Sequence, residues 1–348
     1  MSVQPPRTSP LVGLGVTAPV LAAPMAGGPT TPALVTAAAR AGGLGFLAAG
    51  YKTAEQLDAQ LAEVRAAGRV FGVNLFAPNP ITIEPAEYRR YAEALRPLAE
   101  RYGVEVPAEP VADDDHWEEK LEVLRRAPAP VVSFTFAIPP TPVIASLRAQ
   151  GSVVVQTVTN AAEARAATDA GVDMLAVQGF AAGAHCGTLT PSRLPEPIPT
   201  AALVAAVGNV TRLPLIAAGG LATPAQVADV IRAGAEAVMA GTALLRTTES
   251  GASAVHQAAI ADPAGRETVL TRSFTGRPAR GIRNEFIDSY DAIAPLGYPA
   301  LHHLTSPIRR AAAAAGDPGS VHLWAGTGYR QAAAGPAADV LRALASQC

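Results

Sequence analysis

The sequence predicts an α/β protein, a (β/α)8 TIM barrel with a helical insertion and a C-terminal cap or side domain. Three features carry that expectation. Eight short apolar runs recur between residues 19 and 243 with helix-patterned segments between most of them. Strands separated by helices must pair in parallel through right-handed crossovers, and eight such units close a barrel. Only 16% of the residues are charged while 49% are hydrophobic, as strands covered on both faces require.

The first run is Pro19 to Pro24 (PVLAAP), followed by a helix over Pro32 to Ala41. Leu44 to Gly50 is the second, with Thr53 to Ala67 after it carrying Ala, Leu and Val at three- and four-residue spacing. Val70 to Phe76 is the third and Pro130 to Phe136 the fourth, the latter leading into a helix over Pro140 to Gln150. The fifth, Ser152 to Val158, precedes Asn160, a good N-cap for a helix ending near Ala170. Met174 to Phe180, Leu213 to Gly220 and Ala237 to Ala243 complete the set, with helices over Thr200 to Val207 and Thr223 to Ala233. Thr223 caps the last of these with Pro224 in the first helical position. A doubly wound open sheet would share the alternation, but the first βα turn, PMAGGPT, lacks the GxGxxG spacing such a sheet uses for a dinucleotide.

Residues 11–250 are therefore read as the barrel, with 77–129 as a helical insertion. Residues 251–335 are richer in Arg, Gly and Pro, show no clear strand period, and read as a substrate-side cap. Residues 336–348 read as a terminal helix packing on the barrel.

Composition excludes several function classes. Lys and Arg number 27 against 29 Asp and Glu, which leaves no electrostatic footprint for nucleic acid or an anionic membrane surface. Cys186 and Cys348 are too few for a disulfide framework. The start of the chain, with Pro5 and Pro6 in tandem, has no apolar core of signal-peptide length, and no purely apolar run reaches membrane-spanning length. The expectation is a cytoplasmic protein, monomer or homodimer. The acidic triplet Asp113 to Asp115 reads as a solvated loop or helix start.

Barrel active sites gather at the carboxyl ends of the strands. Amides and glycines dominate there and acids are absent, which suits a bound cofactor and suits a metal poorly. Gly219-Gly220 and Gly241-Thr242 end the last two strands, where barrels build a phosphate site from backbone N–H groups. Asn74, Gln156 and Gln178 could donate to and accept from a flat, polar-edged ring. His185 stands in a loop of small residues, QGFAAGAHCGT, where an imidazole can approach a ligand as acid or base. Cys186 beside it would make a nucleophile only if the two side chains met, and adjacent side chains usually diverge.

At that loop the chain resembles the nitronate monooxygenases, formerly 2-nitropropane dioxygenases, whose signature is QGxEAGGHxG. The similarity extends through APMAGG, GVNLF at 72–76, AAGG at 217–220, MAGTALL at 239–245, GRPARGIRNEF at 276–286, YPALHHLTSPIR at 298–309 and WAGTGY at 324–329. The Tyr-Pro and Trp-Ala-Gly segments resemble the first class of that family. The resemblance implies non-covalent FMN and oxidation of alkyl nitronates, such as propionate 3-nitronate, with O2 to a carbonyl compound and nitrite. It implies His185 as catalytic base or charge stabiliser, and Ala23, Pro24 and Met25 lining the flavin. Asn74, Gln178 and Gly183 would hydrogen-bond the flavin, Gly219, Gly220, Gly241 and Thr242 would hold its phosphate, and Tyr298 would close over the substrate. His302 and His303 fall in the motif as structural supports. An FMN-dependent NAD(P)H reductase acting on a quinone or an enoyl thioester is the alternative on the same fold. Two positions depart from the signature, with Ala181 in place of its Glu and Ala184 in place of the Gly before the His.

Overall fold

A computed structural model describes residues 9–348; the tandem Pro5 and Pro6 lie outside the described residues. Among the described residues eleven strands form in chain order: β1 Val20–Ala22, β2 Phe46–Ala48, β3 Gly72–Phe76, β4 Val131–Thr135, β5 Val153–Val158, β6 Met174–Gln178, β7 Ala184–His185, β8 Leu215–Ala218, β9 Ala237–Ala240, β10 Thr268–Thr271 and β11 Ala279–Ile282. Eight of them make one parallel sheet in the order β1-β9-β8-β6-β5-β4-β3-β2. Its two ends meet at a parallel bridge between Ala22 and Gly45, where Ala22 N–H donates to the Leu44 carbonyl at 2.8 Å. The sheet is thus a closed barrel, as the sequence predicts.

Strand parity divides the core in two. Leu21, Phe46, Val131, Val155, Met174, Ile216 and Met239 fill the barrel interior, and Leu11 and Val16 stop one end of it. Alternate residues such as Val73, Val132, Val154, Val177 and Val238 face the helix layer. This parity corrects the reading of Gln156. It lies between Val155, in the interior cluster, and Val154 and Val158, which pack outward, so the amide points into the helix layer and away from the barrel mouth.

The helices start where their caps place them. Thr31, Asn160 and Thr223 each accept a backbone N–H from the first turn, and Thr53 with Gln56 and Thr223 with Gln226 form capping boxes. The eight outer helices are Pro32–Arg40, Ala54–Ala66, Trp117–Arg126, Thr141–Ala149, Ala161–Asp169, Thr200–Gly208, Pro224–Arg232 and Ala337–Leu344. The stretch 77–129 therefore contains two helices with different destinations. Trp117–Arg126 buries Trp117, Leu121 and Leu124 against the barrel and is its third outer helix. Pro85–Tyr102 alone is inserted, and its Tyr88, Tyr91 and Leu95 pack with Leu301, Leu304 and Ile308 of the helix Ala300–Ala314.

The last outer helix, Ala337–Leu344, buries Ala337, Leu341 and Leu344 in the same core as β1 and the helix Pro32–Arg40. Residues 251–335 thus interrupt the eighth βα unit, as Pro85–Tyr102 interrupts the third. Both interruptions follow the carboxyl ends of strands, and they join into one cap over that face. The cap also contains strands that periodicity did not reveal. β10 and β11 pair antiparallel, and β11 pairs in turn with β7, matching Ala279 to His185 and Arg280 to Ala184. β10 and β11 are four residues long and β11 is buried without alternation, so no period of two is visible in ARGI.

Candidate active site

Interior-facing residues change from apolar to polar at the carboxyl end of the barrel. Asn74 donates Nδ2–H to Ser133 Oγ at 2.9 Å and to Thr135 Oγ1 at 3.1 Å, and Thr135 and Thr157 exchange a hydroxyl contact at 3.3 Å. Asn74 Oδ1 accepts no hydrogen bond among the described residues and is its free polar atom. Gln178 spends both side-chain polar atoms on the loop, with one amide hydrogen left over. Its Nε2–H donates to the His185 carbonyl at 3.1 Å and its Oε1 accepts Gly187 N–H at 2.6 Å. The amide expected to meet a cofactor also clamps the loop that carries the histidine.

That loop is held from two sides, by Gln178 below and by β11 above. His185 Nε2 lies 2.9 Å from Thr275 Oγ1, and its ring is ringed by Phe136 (centroids 5.6 Å apart), Tyr298 (5.7 Å) and Trp324 (5.7 Å). Tyr298 O–H donates to Tyr51 Oη at 3.3 Å, and Tyr51 stacks on His302 at 4.1 Å. With Phe76 at the end of β3 packed against Tyr51 (5.4 Å) and Phe136 (4.5 Å), the result is an aromatic cage built from the ends of β2, β3 and β4 and from the cap. Burial, aided by Arg277 and Arg309, pushes His185 down to about 3, so the ring is neutral at neutral pH. Burial also holds Tyr298 well above its ordinary range, keeping its proton.

Two guanidinium groups stand behind this cage without a carboxylate partner among the described residues. Arg277 is wholly buried, lies 4.0 Å over the Phe136 ring, and donates to the Thr188 carbonyl at 2.6 Å. Arg309 donates to Thr305 Oγ1 at 3.0 Å and to the His302 carbonyl at 2.9 Å. Burial lowers both to about 10, which still leaves them charged. Sequence reasoning missed Tyr51, Phe136, Thr275 and Arg277. The one available signal was the GRPAR run beside Thr275, two arginines in an otherwise apolar segment.

Beside the cage lies a second, glycine-rich wall. Gly219 and Gly220 have φ of +104° and +73°, open to glycine and costly for other residues. The N–H groups of Gly219, Gly220 and Gly241 make no hydrogen bond among the described residues. A Cβ on Gly241 would sit 3.4 Å from the Ala23 Cβ and 3.6 Å from Met25 Sδ, so this wall and the Ala23-Pro24-Met25 turn share one corner. Thr242 accepts Gly326 N–H at 2.9 Å, and Gly183 backs onto the Ala325–Gly326 backbone. All of these residues except Ala325 and Gly326 are half-buried, so the corner is open to a ligand. Free N–H groups and close backbone approach suit a phosphate, and the residues present fit a phosphorylated flavin there.

Other expectations meet different surroundings. Asp113 and Asp114 are exposed in the loop just before the helix Trp117–Arg126, as expected, and Asp113 pairs with His303; Asp115 alone turns inward, pairing with the buried Lys120 at 2.7 Å and accepting Tyr51 N–H at 2.8 Å. Cys186 is buried with its thiol pushed up to about 11, which removes it as a nucleophile. No helix of the described residues is long and apolar enough to cross a membrane.

A family model described as nitronate monooxygenase matches residues 8–347. A Staphylococcus aureus (strain Newman) protein described as a probable nitronate monooxygenase is 34% identical over 339 residues, covering 96% of this chain and 95% of the relative. Among solved structures, a nitroalkane oxidase from Streptomyces ansochromogenes superposes with a TM-score of 0.93 at 44% identity, covering 97% of each chain. FabK from Thermotoga maritima superposes with a TM-score of 0.75 at 25% identity, covering 98% of this chain and 96% of its own.

Proposed function

The chain belongs to the nitronate monooxygenase family, an oxidoreductase family, and from that premise we propose that it binds FMN and oxidises alkyl nitronates with O2 to a carbonyl compound and nitrite. The observation that carries the substrate class is the pair of buried guanidinium groups, Arg277 and Arg309, behind an aromatic cage that holds no carboxylate. Inside a site of low dielectric, uncompensated positive charge favours a small anion over its neutral conjugate acid. A nitronate is such an anion.

In this reading Gly219, Gly220, Gly241 and Thr242 hold the FMN phosphate, Ala23, Pro24 and Met25 line the ring, and Asn74 offers Oδ1 to its polar edge. Gly183 lies along that edge, and Gln178 contributes through the loop it clamps. A flavin held there would supply the redox chemistry between the substrate and O2. Tyr298 and Trp324 cover His185 and exclude water. His185, neutral and half-buried, takes the proton when the substrate arrives as a neutral nitroalkane; a nitronate arrives without that proton.

The test is an absorbance spectrum of the purified protein followed by anaerobic addition of propionate 3-nitronate. Flavin bands that change on addition of the nitronate support the reading. Flavin bands that ignore the nitronate but bleach with NADH would assign the chain to the NAD(P)H reductase alternative. A colourless protein that FMN cannot reconstitute would remove the cofactor.

A further inference from the structure

The contact between His185 and Thr275 decides which imidazole nitrogen is free to work. A threonine hydroxyl has one hydrogen and two lone pairs. Thr275 Oγ1 donates to the Arg277 carbonyl at 3.2 Å, and its oxygen also receives Arg277 N–H at 3.4 Å. With its only hydrogen on that carbonyl, the hydroxyl meets His185 as an acceptor. The proton in the 2.9 Å contact therefore belongs to His185 Nε2. If the hydroxyl turned to donate to the ring, the Arg277 carbonyl would lose that donor in a segment where Thr275 and Arg277 are both fully buried. Leaving a buried acceptor unpaired is unfavourable, which favours the ring as the donor in this contact.

A neutral imidazole with a proton on Nε2 has a bare lone pair on Nδ1. Nδ1 makes no hydrogen bond among the described residues. The charged and titratable groups around the ring are Arg277 on the adjoining loop, Arg309 and His302 on the helix Ala300–Ala314, Tyr298 and His322 on the cap and Cys186 next in the chain. None is a carboxylate that could orient the ring, so the neutral hydroxyl of Thr275 is what fixes it. The clamp by Gln178 and the pairing with β11 fix the backbone on which that ring turns.

We propose that Thr275 is a positioning residue that holds His185 as its Nε2–H tautomer, so that Nδ1 is the atom that takes a proton from a neutral nitroalkane. The proposal rests on His185 acting as the base. In the step, the substrate C–H bond breaks, its electron pair stays on the substrate as the nitronate, and the proton moves to Nδ1. The resulting imidazolium keeps its Nε2–H on Thr275 Oγ1, where the hydrogen bond becomes charge-assisted. A substrate supplied as nitronate skips this step and has no use for the tautomer.

The experiment compares Thr275→Val, Thr275→Ser and His185→Asn holoenzymes on nitroethane and on its preformed nitronate. Thr275→Val is expected to lower kcat on nitroethane by about 10- to 100-fold while changing nitronate turnover by less than about twofold. Thr275→Ser should restore the nitroethane rate. Equal losses on both substrates would reduce Thr275 to a structural role and overturn the proposal, as would no loss on either. If His185→Asn itself leaves nitroethane turnover unchanged, it is the base assignment that fails. Nitrogen-15 NMR of histidine-labelled wild-type enzyme, with His185 assigned by its absence from His185→Asn, reads the tautomer even if Thr275→Val does not fold. A protonated Nε2 supports the proposal and a protonated Nδ1 overturns it.

Discussion

Left-handed backbone at non-glycine residues gathers around the site. Tyr51 (φ +66°), Phe136 (φ +84°) and Ala184 (φ +62°) are three of the five such residues among those described, and all three border the cage or its loop. Such conformations cost free energy and persist where surrounding contacts force them, as functional sites do. Ala184 gives the departure from the family signature a physical meaning, because glycine adopts this conformation without a Cβ clash. Replacing Ala184 with Gly should relieve about 1–2 kcal/mol of strain and return part of it through the freer unfolded chain, a net gain of roughly 0.5–1 kcal/mol. A shift of the urea midpoint upward at constant slope would show it; a downward shift would mean that the methyl packs better than it strains. His185 itself was legible in the sequence because a loop of small residues around one imidazole is unusual. Thr275 was not, since a threonine 90 positions away carries no local sign that it will meet a ring.

Among elements, the barrel was legible and the cap was not. Strands buried on both faces write continuous apolar runs, and Thr31, Thr53, Asn160 and Thr223 mark helix starts locally. The fate of Trp117–Arg126 is decided by tertiary packing, which periodicity does not encode, so it could not be told from the inserted helix before it. Gln156 failed for a simpler reason: a run such as SVVVQTV does not say which parity faces inward. The inserted helix Pro85–Tyr102 reaches the site through one buried bond, from Tyr91 O–H to the Ser273 carbonyl at 2.6 Å, two residues before Thr275. Tyr91→Phe should cost roughly 1–2 kcal/mol by stranding that carbonyl. It should also slow nitroethane turnover more than nitronate turnover, because Thr275 loses its anchor. Urea unfolding and the two assays check both parts, and an unchanged urea midpoint would show that the link carries no stability.

For the whole molecule, the largest pH effect should come from histidines kept neutral by burial. His185 and His256 are pushed down to about 3 and about 4, and His302 and His322 lie well below their ordinary value. Unfolded, each would bind a proton near pH 6.5. The unfolded state therefore takes up more protons than the fold between about pH 6.5 and 4, and stability must fall as pH falls through that window. One fully buried histidine contributes at most about 1.4 kcal/mol per pH unit, so a steeper loss between pH 6.5 and 5 would show that several act together. Denaturation midpoints that do not move between pH 7 and 5 would mean that the rings are already protonated in the fold. Nothing in the sequence foretold this, since six histidines among 348 residues give no hint of which will be covered.

The return of the chain from the cap to the barrel sets an order of assembly. Ala337–Leu344 packs on β1 between the helices Pro32–Arg40 and Pro224–Arg232, yet the cap, residues 251–335, is made before it. A ribosome releases the strand ends, then the lid over them, and only afterwards the stave that seals the wall. Folding of this long-range contact waits on translation of its last partner. A nascent chain halted before residue 337 should therefore have its lid segment synthesised while β1 and the first outer helix are still open to protease.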